Sequence, residues 1–65
     1  MVKTDFEGVD DAIDHIEAQI LVVRAIMSAE EEKGGEVEEP AFSALKAYLE
    51  DIKIACERGL KSLGE

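Results

Sequence analysis

Apolar residues recur along the first half of this chain in two interleaved ladders. The first runs Phe6, Val9, Ile13, Ile16, Ile20, Val23 and Met27, at alternating steps of three and four. That spacing is the seam of a helix packed lengthwise on another helix. The second runs Ala12, His15, Gln19, Val22, Ile26 and Ala29 at the same steps. At about 100° per residue it lies roughly 100° round the helix from the first. A strand is excluded, because no period of two runs through Asp10–Asp14 or Arg24–Ala29. A membrane span needs about 20 mostly apolar residues, and Glu17, Gln19 and Arg24 break this run.

The second half repeats the arrangement. Its seam is Phe42, Leu45, Leu49, Ile52, Cys56, Leu60 and Leu63, and its second ladder is Ala41, Ala44, Tyr48, Asp51, Ala55 and Ser62. Between the halves stands Gly34-Gly35, which closes a helix by taking left-handed conformations. Pro40 suits a first helical turn, where its missing N–H costs nothing. The expectation is one all-α domain over 1–65. It comprises a helix over about 9–33, an acidic turn over 34–39 and a helix over about 40–63, with Gly64 closing the second. Thr4 and Glu7 have capping-box spacing, and Asp10 or Asp11 is an alternative start. A connection this short forces an antiparallel two-helix hairpin.

The offset between ladders has the same sense in both helices, so both second ladders fall on one side of the hairpin. That side would leave a contiguous apolar patch on a monomer. The expectation is therefore a homodimer, a four-helix bundle joined through Ala12, His15, Gln19, Val22, Ile26, Ala29, Ala41, Ala44, Tyr48 and Ala55. Leu21 and Ile54 are isolated apolar residues on the other, charged side.

Length and charge narrow the function. Sixty-five residues bury only about 60% of their unfolded surface, and such chains need reinforcement. One cysteine, Cys56, excludes an internal disulfide, and one histidine with one cysteine does not make a closed zinc site. Oligomerisation is what remains. Sixteen acidic against seven basic side chains give a net charge of −9. Direct nucleic-acid binding is disfavoured, since phosphate affinity comes from Lys and Arg, and a membrane surface is disfavoured for the same reason. A basic protein partner is compatible. Met1–Glu7 lacks the apolar core of a signal peptide, so the expected location is cytoplasmic.

Three features bear on chemistry. His15 with Asp11 would be the start of a metal site, but bundle di-metal sites use Glu-x-x-His with further inward carboxylates, and position 12 is Ala. Cys56 falls on the apolar seam and reads as core, without a neighbouring base to activate it. No phosphate loop, zinc spacing or nucleophile motif occurs. The expectation is no enzyme, no cofactor and no metal. The cluster Glu30, Glu31, Glu32, Glu36, Glu38 and Glu39 reads as a solvated turn, outside the folded core. Its sharper reading is a docking site for a basic protein surface.

Gly8-Val9, Asp11-Ala12-Ile13-Asp14-His15, Ala41-Phe42-Ser43-Ala44-Leu45 and Leu49-Glu50-Asp51-Ile52-Lys53 resemble a family of very small uncharacterised two-helix proteins common in pseudomonads. The resemblance implies a bacterial protein with a two-helix fold, and supplies no catalytic residue. Two functions follow from the residues: a small acidic, self-associating protein-interaction module, or an acidic inhibitor or nucleic-acid mimic acting on a basic protein.

Overall fold

The structure is a computed structural model and describes residues 2–64. It is an antiparallel hairpin of two helices, α1 (Phe6–Glu32) and α2 (Glu39–Leu63). α1 starts three residues earlier than expected. Asp5 is its N-cap, and the Asp5 carboxylate accepts the Gly8 N–H at 3.1 Å. A carboxylate at that place also meets the positive end of the helix dipole. Thr4 is drawn elsewhere. Its hydroxyl donates to the Leu63 carbonyl at 3.0 Å, and the Asp5 N–H donates to the Ser62 carbonyl at 2.7 Å. The segment before α1 thus satisfies carbonyls that the end of α2 would otherwise leave open.

Residues 33–38 connect the two helices. Gly34 and Gly35 take φ of 122° and 88°, a region that side-chain-bearing residues rarely adopt. Pro40 sits in the first turn of α2. Gly64, also left-handed, closes the helix.

The packing face differs from the expectation. The spacing predicts a seam along the two ladders of large residues. The structure turns each helix by roughly 75°, so that the smaller ladders meet instead. Ala12 and Ala55 are buried, Ala55 completely, and Gly8, Ala41, Ala44, Tyr48, Gly59 and Ser62 are half-buried. Phe6, Ile13, Ile20 and Met27 of the expected seam are exposed, and so are Phe42, Leu49, Cys56, Leu60 and Leu63. Only Val23 of that seam is buried; Val9, Ile16, Leu45 and Ile52 are half-covered.

Close approach is the physical reason. A methyl group added at Gly59 would stand 3.3 Å from the Ala12 Cβ, and one at Gly8 would collide with Ser62. Small residues let the two backbones come together, and large ones at the same positions would hold them apart. A polar cluster crosses the same contact. His15 Nε2 lies 2.6 Å from Asp51 Oδ2, and the Gln19 amide donates to the same oxygen at 2.5 Å.

A contact made of small residues leaves little core. Among the described residues, no large side chain is fully buried. The accessible surface is 5221 Å², against roughly 4,100 Å² for a compact monomer of this mass. The radius of gyration is 15.0 Å, against about 11 Å for a compact chain of this length.

Candidate interaction surface

The outward residues of the two helices form one face. In an antiparallel pair, equal offsets of the same sense fall on the same side, and both exposed rows are offset in the same sense from the packing contact. A groove records this directly. It is lined by Ile20, Val23, Arg24, Met27, Ser28 and Glu31 of α1 with Leu49 and Ile52 of α2, and holds about 460 Å³. Val23 and Ile52 line it where the helices meet. Ile20 and Met27 form one wall and Leu49 the other. The groove occupies the half of the face nearest the turn. Phe6 marks the opposite end and is 77% exposed.

Phe6 stands out from a fixed base. The Asp5 cap and the bonds from Thr4 and Asp5 to the end of α2 hold the first turn of α1. The ring therefore has a defined place on the face, and the described residues leave it largely uncovered. Cys56 belongs to this face and is exposed, not the core thiol expected of it.

The residues expected at a dimer interface are found mostly inside the hairpin. Ala12, Ala55, His15 and Gln19 contribute to the contact between α1 and α2, with Ala41, Ala44, Tyr48 and Ile26 half-covered beside them. Val22 and Ala29 remain exposed.

The His15–Gln19–Asp51 cluster is the main polar feature of the helix contact. The hydrogen bond to His15, then that to Gln19, lowers the Asp51 pKa below its ordinary value. Both side chains of the His15–Asp51 pair remain about 40% exposed. Five residues separate Asp51 from Cys56, about 140° round α2, so the thiol does not share a site with this pair. Among the described residues, no three of His, Cys, Asp and Glu gather as a metal site.

The acidic turn divides into two parts. Glu30 is buried, only 5% exposed. Its Oε1 accepts the Glu38 N–H, the N-cap amide of α2, at 2.9 Å. Lys33 Nζ lies 3.3 Å from Glu30 Oε2 and 3.2 Å from Glu38 Oε1. The Glu38 amide, followed by Lys33, holds the Glu30 carboxyl below its ordinary pKa despite its burial. The Lys33 pKa is raised by the bond to Glu38 and then by that to Glu30. The expectation that the turn acids lie outside the folded structure is corrected for Glu30. It ties the end of α1 to the start of α2. Glu31, Glu32, Glu36, Glu38 and Glu39 remain exposed.

No protein-family profile, curated protein or solved structure matches the chain. No helix among the described residues is long and apolar enough to cross a membrane.

Proposed function

We propose that this chain is a small acidic protein-interaction module that self-associates into a four-helix bundle. The observation that carries the reading is the uncovered face of Phe6, Ile13, Ile20, Met27, Phe42 and Leu49. Residues of this kind gain about 1.5–3 kcal/mol each on full burial, and the hairpin leaves that gain unused. Soluble monomers rarely expose large contiguous apolar patches.

The dimensions suit a second copy. Principal extents of 52 × 15 × 13 Å give a broad side of roughly 800 Å², the area each partner contributes to a standard interface. The surface in excess of a compact monomer is of the same order. Packing two such faces gives four helices around a core that one hairpin lacks. The interface differs from the one expected from the sequence: it uses the ladders of large residues, because the small ones already join α1 to α2.

Sedimentation equilibrium across a salt series tests the reading. Each copy carries −9, so screening favours the assembly. The expected result is a dimer whose dissociation constant falls as salt rises. A mass of 7.1 kDa at every salt concentration up to about 0.1 mM protein contradicts it.

A further inference from the structure

We infer that the second copy lies antiparallel on the apolar face, with the two turns at opposite ends and Phe6 of each copy seated in the Ile20–Met27–Leu49 groove of the other. This rests on the self-association proposed above and adds its geometry. Two independent observations lead to it.

The first is shape. The face has its hollow near the turn and its largest projection, Phe6, near the termini. A two-fold axis perpendicular to the helices reverses the second copy end to end. Phe6, Ile13, Ile20 and Met27 are spaced by seven, so an axis midway between Ile13 and Ile20 sets Phe6 opposite the partner's Met27. Ile13 then meets the partner's Ile20. Projection thus meets hollow twice, once at each end. A two-fold axis parallel to the helices instead sets each groove against the other groove at the same height. That leaves an unfilled space in the turn half of the new core, which is destabilising.

The second is charge. Residues 30–39 hold six Glu and one Lys, a net charge of −5 at each turn. Parallel packing sets the two turns side by side. Antiparallel packing separates them by about 50 Å, several Debye lengths at physiological salt. Each turn then lies over the partner's terminal end, where Lys3 and Lys61 are exposed among Asp5 and Glu7.

The test is a distance measurement on the full chain. A nitroxide is placed at the exposed turn position Glu36→Cys in a Cys56→Ser background, and double electron–electron resonance reads the separation in the dimer. The expected distance is about 50 Å. A distance below about 25 Å, two helix diameters, overturns the antiparallel arrangement while self-association stands. No dipolar coupling together with a monomer mass overturns both. Phe6→Ala tests the seat separately. It should keep its helical circular dichroism, since the ring is uncovered in the hairpin, and weaken the dimer by about tenfold or more. An unchanged dissociation constant removes Phe6 from the interface and overturns that part of the inference.

Discussion

The two sides of α1 carry ladders of the same period and different bulk, and the hairpin covers them unequally. The ladder of Ala12, His15, Gln19 and Ile26 faces α2, against Ala55, Gly59 and Asp51. The ladder of Phe6, Ile13, Ile20 and Met27 faces outward. Small side chains permit a close backbone contact but bury little area. Large ones carry most of the apolar surface and are left to be covered from outside. The lesson is that hydrophobic spacing identifies both ladders, while side-chain size decides which is packed within the chain.

This division is broken most severely from the inside. Ala55 has no exposed surface and faces a helix held close by Gly59 and Ala12. Ala55→Leu should cost about 1–3 kcal/mol by overpacking, enough to lower the melting temperature sharply in so small a fold. Thermal circular dichroism checks it. A variant as stable as the parent would show that the helices are not closely apposed there.

The turn gives an intermediate effect. Glu30→Gln keeps the shape but removes the charge that meets the Glu38 amide and Lys33. Its melting temperature should fall at neutral pH, whereas Glu31→Gln and Glu36→Gln, both at exposed positions, should change little. The pH dependence has a definite sign. The folded-state pKa of Glu30 is lowered from 4.5, so the unfolded chain takes up its proton first as pH falls. Glu30 therefore contributes stability that is fully present above about pH 4.5 and is lost as pH falls through the lower folded value. The difference between parent and Glu30→Gln should close over that acid range. A constant difference from pH 7 to pH 3 would contradict the role of the carboxylate.

The smallest effect belongs to the polar cluster. Asp51 is lowered from 3.8 by His15 and Gln19, so its contribution is likewise present above its ordinary pKa and lost below it. Its exposure to solvent weakens the bonds. Asp51→Asn should lower the melting temperature at pH 7 by less than Glu30→Gln does, and the two parent-to-variant differences should both shrink in acid. A larger loss from Asp51→Asn would make the cluster, and not the small residues, the main tie between the helices.

Much of the fold was legible in the residues. Steps of three and four gave the helices, Gly34-Gly35 gave the turn, and Pro40 gave the start of α2. The face of contact was not legible in the same way. Both ladders are apolar, and periodicity alone does not say how near two helix axes come. Gly8 and Gly59 were the available signal, since they stand opposite Ser62 and Ala12 and leave room for a close approach. The polar ladder members pointed the same way: His15, Gln19 and Asp51 find one another across the helices. Glu30 was hidden because its role depends on the chain returning to within reach of its carboxylate. Thr4 was hidden for the same reason, its partner Leu63 being at the far end of the sequence.

The claim that the large ladders form the contact with a second copy is tested most directly by sedimentation equilibrium of two variants beside the parent. Leu49→Glu places a charge on the proposed interface, at an exposed position of the hairpin. Val22→Glu places the same charge on the side expected from the sequence. The parent and Val22→Glu should sediment at twice 7.1 kDa, and Leu49→Glu as the monomer with its helical signal retained. A dimer that survives Leu49→Glu and is lost in Val22→Glu would contradict the account.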